Sequence, residues 1–134
     1  MLHIFLVEDN SADVMLIREA LRTSPVAADV TIAYDGEEAL KLLSTMDFKP
    51  AFILLDLNIP RFDGFTILEQ YRTEDGPPVI VFTGSQNPAD RERALDLGAQ
   101  DYVTKPMGKR PFVEAIHRIL ERWGGHERLS GLLA

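Results

Sequence analysis

Residues 51–60 read AFILLDLNIP. Five apolar residues run into Asp56, the apolar pattern resumes at Leu57 and Ile59, and Pro60 cuts it. An unbroken apolar run of this length is the pattern of a strand buried on both faces, as in a parallel sheet. A free charge does not belong inside such a strand. Asp56 therefore marks where the chain leaves the core.

Working outward, short apolar runs alternate with longer amphipathic ones. Leu2–Val7 (LHIFLV) is a first strand. In the following SADVMLIREALRT, residues Val14, Leu16, Ile17, Ala20 and Leu21 recur at helical spacing. Ser11 suits the N-cap of that helix, and Asp13 lies in its first turn, where the helix dipole favours negative charge. Ala28–Ala33 alternates as a strand, and Gly36–Thr45 carries Ala39, Leu40, Leu42 and Leu43 on one helical face. Ala51–Leu55 is the third strand and Gly64–Arg72 the third helix. Pro78–Phe82, Pro88–Leu97, Asp101–Thr104 and Pro111–Trp123 continue the alternation, with Gly98 placed to end one helix and Pro111 suited to start the next. Five strand–helix repeats predict an α/β fold, a parallel sheet with helices on both faces. Right-handed crossovers leave a few doubly wound strand orders.

The 134 residues fit one domain, expected over 1–123 with a C-terminal tail over 124–134. There is no cysteine, which excludes disulfides, thiolate zinc sites and a thiol nucleophile. No apolar run is long enough to span a membrane, and the N-terminus lacks a signal-peptide pattern, so a cytoplasmic location is expected. A net charge of -7 argues against binding nucleic acid or an anionic membrane surface.

In doubly wound sheets ligands bind beyond the carboxyl ends of the strands, where strand order reverses. Glu8 and Asp9 follow the first strand, Asp56 the third, Thr83 ends the fourth, and Lys105 follows the fifth. In the order 2-1-3-4-5 the three acids converge, flanked by Thr83 and Lys105. Carboxylates held together repel one another, and a hard divalent cation such as Mg2+ relieves the repulsion while leaving water positions open for a phosphate. The arrangement points to phosphoryl transfer, with a carboxylate as nucleophile or metal ligand. His3 reads as a strand residue, His117 as a helix-surface residue, and Trp123 as a core or interface residue.

LVEDN, LLDLNIPRFDG, VIVFTGS and DYVTKP, in this order and in register with the strands, resemble the response-regulator receiver domains of two-component signalling. The resemblance covers Leu2 to about Trp123. It implies a flavodoxin-like (βα)5 fold of order 2-1-3-4-5. It implies Asp56 as acceptor of a phosphoryl group from a sensor histidine kinase. Mg2+ would be held by the Asp9 and Asp56 carboxylates, the Asn58 backbone carbonyl and, mainly through water, Glu8. Lys105 would pair with phosphoryl oxygens, across a Lys105–Pro106 bond that is typically cis in the family. Thr83 and Tyr102 would form the switch: the hydroxyl moves to the new oxygen, and the tyrosine turns inward. Gly84 would leave room at the phosphate, while Asn58 and Ser85 would influence the lifetime of the phosphoryl group. A glutamate at position 8, where many members have aspartate, is a mild departure.

The finer pattern EDNSADVMLIREALR resembles small stand-alone receivers that work with bacterial phytochrome kinases. That resemblance implies output by contact with a downstream protein or by onward phosphotransfer. It also suggests a homodimer through the last helix and tail, involving Phe112, Ile116, Ile119, Trp123 and the tail leucines. Two other readings compete. A dehalogenase-type phosphatase also places a nucleophilic aspartate after an apolar strand, but wants a second aspartate where Asn58 stands. A pseudo-receiver would bind partners without phosphorylation.

Overall fold

The computed structural model describes residues 1–45, 49–71 and 76–124. In chain order the elements are β1 (Leu2–Val7), α1 (Ser11–Thr23), β2 (Ala28–Ala33), α2 (Gly36–Thr45), β3 (Phe52–Leu55), α3 (Gly64–Gln70), β4 (Val79–Thr83), α4 (Pro88–Asp96), β5 (Asp101–Thr104) and α5 (Lys109–Ile119). A wider π-helical turn, Leu120–Gly124, continues α5. The five strands are all parallel and lie in the order β2-β1-β3-β4-β5. This is the expected doubly wound order, with its reversal between β1 and β3.

The β3 run explains the sheet. Phe52, Ile53, Leu54 and Leu55 are all buried because helices cover both faces. Side chains alternate along the strand. Phe52 and Leu54 enter one core with Ile4, Leu6, Phe82 and the α1 and α5 residues Ile17, Phe112 and Ile116. Ile53 and Leu55 enter the opposite core with Phe5, Val7, Val81 and the α3 residues Phe65, Ile67 and Leu68. Phe82 and Phe112 meet edge to face at 5.1 Å and tie β4 to α5. Phe112, Ile116 and Ile119, expected as dimer contacts, are thereby committed to the core. The tail leucines lie outside the described residues.

Several local expectations shift. The N-cap of α1 is Asn10 rather than Ser11: the extended Asn10 backbone lets its side chain accept the Asp13 N–H, and Ser11 becomes the first helical residue. Helix α5 starts at Lys109, so Pro111 sits third in its first turn, where its missing N–H is still harmless. Gly98 ends α4 at φ 111°, as its position suggested. His117 is not a free surface residue. Its Nε2 lies 2.8 Å from the Ala20 carbonyl oxygen and 3.2 Å from Thr23 Oγ1, joining α5 to α1. Trp123 is half-buried, and its indole N–H donates to Asp101 at 3.4 Å. No peptide bond among the described residues is cis, so Lys105–Pro106 is trans. For a bond to proline the two isomers differ by only about 0.5–1 kcal/mol.

Gly64 holds the β3–α3 connection against the end of β3. Its N–H donates to the Leu57 carbonyl at 3.0 Å. A Cβ there would lie 2.7 Å from Leu57 Cα and 2.8 Å from the Asp56 carbonyl oxygen. Gly64→Ala is therefore expected to lower stability by about 1–3 kcal/mol in chemical denaturation, because the clash is with backbone that cannot rotate away.

Candidate functional site

Val7 of β1 pairs with Leu55 of β3, so Glu8 and Asp56 leave the sheet side by side. The backbone fixes both exits: Glu8 N–H donates to the Ala33 carbonyl at 3.0 Å, and Asp56 N–H to the Val7 carbonyl at 3.1 Å. Carboxylate oxygens of Glu8, Asp9 and Asp56 all lie within 4.8 Å of one another. Glu8 and Asp56 are buried, at 1% and 6% exposure, and Asp9 faces solvent. The three acids thus converge as the strand order predicted.

Lys105 follows β5 and crosses the carboxyl edge of the sheet into this cluster. Its Nζ donates to Glu8 Oε1 at 2.6 Å, Asp13 Oδ2 at 2.7 Å and Asp56 Oδ2 at 2.9 Å. Sequence reasoning had assigned Asp13 to the helix dipole. The structure keeps it in the first turn of α1 and also brings it to Lys105. The signal was spacing: Asp13 stands one helical turn beyond Asp9, on a helix that begins at the site.

Burial, reinforced by the neighbouring Asp56 charge, raises the Glu8 carboxyl from 4.5 to about 7, and Lys105 pulls the other way. Burial alone would lower the Lys105 ammonium. Its hydrogen bonds to Asp13, Glu8 and Asp56 outweigh that and push it above the ordinary lysine value.

Asn58 is exposed, and its N–H donates to Asp56 Oδ1 at 3.2 Å. The loop beyond it is pinned to the start of α2, where the Gly36 N–H donates to the Pro60 carbonyl at 2.9 Å. Arg61 and Phe62 take positive φ values of 52° and 71° in this loop. Arg61 also pairs with Glu37 of α2 at 2.7 Å.

Thr83 is fully buried at the end of β4, and its Oγ1 accepts the Ser85 N–H at 3.5 Å. A Cβ on Gly84 would meet no atom within 4 Å, so the space beside Thr83 is open. Tyr102 is turned inward: it is buried, and its hydroxyl donates to the Ser85 carbonyl at 3.1 Å. Sequence reasoning reserved that orientation for the phosphorylated form. Here the first turn of α4 supports it. Arg91 lies 5.7 Å from the centre of the Tyr102 ring and donates to the Tyr102 carbonyl at 3.2 Å, and Ser85 Oγ donates to Asp90 at 2.6 Å. Tyr102→Phe would leave the Ser85 carbonyl without this donor, and urea denaturation should show a loss of about 1 kcal/mol.

The atoms that the three acids bring together are carboxylate oxygens, which suits a hard divalent cation such as Mg2+. Asp9, Glu8 and Asp56 are the residues placed to hold it.

Comparison with known proteins agrees with this geometry. The family model described as "Response regulator receiver domain" matches residues 4–117. A probable transcriptional regulator, ycf27 of Porphyridium aerugineum, is 36% identical over 117 residues, covering 87% of this chain and 48% of that protein. The chain thus spans about half the length of the curated relatives it matches. Among solved structures, the phosphorylated cyanobacterial phytochrome response regulator RcpA superposes with a TM-score of 0.83 at 37% identity, over 90% of this chain and 92% of that one. The Mn(2+)-bound response regulator Rcp1 gives a TM-score of 0.83 at 32% identity, over 92% and 94%. No helix among the described residues is long and apolar enough to cross a membrane. The fold, the edge on which the acids meet and the family match together place this chain in the response-regulator receiver domain family.

Proposed function

We propose that the chain accepts a phosphoryl group on Asp56 from the phosphohistidine of a sensor kinase. The observation that carries this reading is the meeting of Glu8, Asp9 and Asp56 with the Lys105 ammonium at the reversal of the sheet. An Asp56 carboxylate oxygen attacks phosphorus in line. The phosphorus–nitrogen bond breaks, its electron pair returns to the imidazole, and an acyl phosphate remains. Lys105 stands within reach of the new phosphoryl oxygens. Asp9, Asp56, the Asn58 carbonyl and, mainly through water, Glu8 would hold magnesium, which would neutralise charge on those oxygens. Thr83 and Tyr102 then bias the face formed by α4, β5 and α5 between two packings.

Likeness to phytochrome response regulators supports a phytochrome-type kinase as the donor. The acidic net charge supports a protein target, or a further phosphotransfer protein, over nucleic acid.

The test is intact-mass measurement after incubation with magnesium and acetyl phosphate. The expected result is one phosphate adduct, lost in Asp56→Asn. No adduct and no magnesium binding would favour a phosphate-independent binding module, and turnover of phosphate esters would favour a phosphatase. Asn58 already weighs against the phosphatase, since an amide cannot serve as general acid.

A further inference from the structure

Lys105 has three carboxylate partners, and they are not equivalent. Glu8 and Asp56 also belong to the group of acids able to hold a cation. Asp13 does not. It projects from α1, an element that carries neither of the other two partners. Its backbone is fixed by the helix start: the Asp13 N–H donates to Asn10 Oδ1 at 3.0 Å, and the Val14 N–H to the Asn10 carbonyl at 3.0 Å. A divalent cation shared between Glu8 and Asp56 draws on their charge, so each holds the ammonium less firmly. Asp13 remains, 2.7 Å away and 21% exposed, on a rigid turn.

We propose that Asp13 is a positioning residue for Lys105. It holds the ammonium at the mouth of the site when Glu8 and Asp56 are engaged by metal, so that the charge stands ready where phosphoryl oxygens arrive. This rests on the reading of Glu8, Asp9 and Asp56 as metal ligands. A lysine side chain is a strongly hydrated point charge on a flexible four-carbon stem. Without a fixed partner it would leave for water, and each phosphoryl transfer would have to recover it. A role for Asp13 confined to the helix dipole would require no contact with Lys105, and would be indifferent to whether the metal site is filled.

The test reads the ammonium itself and needs no phosphate donor. Exchange of the Lys105 Nζ protons with water is followed by nitrogen-15 NMR, with and without saturating magnesium. In the wild-type chain the protons should exchange slowly in both states. In Asp13→Asn, exchange should remain slow without magnesium, because Glu8 and Asp56 still hold the lysine. With magnesium it should become about tenfold faster or more, the order carried by one charge-assisted hydrogen bond. The Asn10 cap to the Asp13 backbone survives this change. Asp13→Glu, which keeps the charge on the same turn, should restore much of the protection. Equal exchange in magnesium-loaded wild type and Asp13→Asn would overturn the proposal. Titration calorimetry on the same samples separates the two readings: absence of magnesium binding defeats the metal site and this inference together, whereas binding with unchanged exchange defeats the role of Asp13 alone.

Discussion

Lys105→Ala is expected to destabilise the protein by about 3–5 kcal/mol at about pH 8, the usual consequence of removing one partner from a buried ion pair. The Lys105 side chain is only 11% exposed, and its ammonium answers Glu8, Asp13 and Asp56 at 2.6–2.9 Å. Its removal leaves two buried carboxylates facing each other with no counter-charge. The loss should depend on pH in a definite direction. Glu8 has a folded-state pKa near 7, above its ordinary 4.5, so the folded state holds a proton that the unfolded chain releases. Stability from that proton is fully present below about pH 4.5 and is lost as pH rises through about 7. Lys105 pulls the Glu8 value down, so without Lys105 it moves higher still. The deficit of Lys105→Ala should therefore shrink as pH falls from the variant's raised Glu8 value towards about 7 and level off below it, and added magnesium should shrink it too. Urea unfolding at several pH values checks both. A deficit that is large at every pH would show that lost packing of the lysine stem outweighs the stranded charge.

Magnesium affinity should carry the same signature. A proton on Glu8 competes with the cation, so apparent affinity is expected to fall below about pH 7, by up to roughly tenfold per pH unit. Above that value it should level off. Glu8→Gln, which cannot ionise, should flatten the profile while weakening binding at neutral pH. Calorimetric titration across this range gives the slope. A profile in Glu8→Gln as steep as in the wild type would assign the proton to another group.

The sheet and its order were legible because strands such as Phe52–Leu55 and Val79–Thr83 are buried on both faces and stand out as unbroken apolar runs. The acid cluster was legible for a related reason: Glu8 and Asp56 each interrupt such a run where the chain leaves the core. What escaped depends on groups meeting across elements. Asp13 already had a sufficient local explanation in the helix dipole, which hid its contact with Lys105. His117 on a helix gives no sign that a neighbouring carbonyl, that of Ala20, will meet its ring. The inward Tyr102 depends on Arg91 and Ser85, two positions whose relation to it is set by how α4 docks. The choice between Asn10 and Ser11 as cap was close, since both side chains suit the position, and the path out of β1 decided it.

The reach of Lys105 has a consequence for the birth of the molecule. Its partners stand 49, 92 and 97 residues earlier in the chain. A ribosome will have made almost the whole fold before the ammonium appears. Until then, the acids that precede it face one another without their cation. A chain that lacks β5 and α5 therefore carries a centre of clustered acids without the ammonium that joins them.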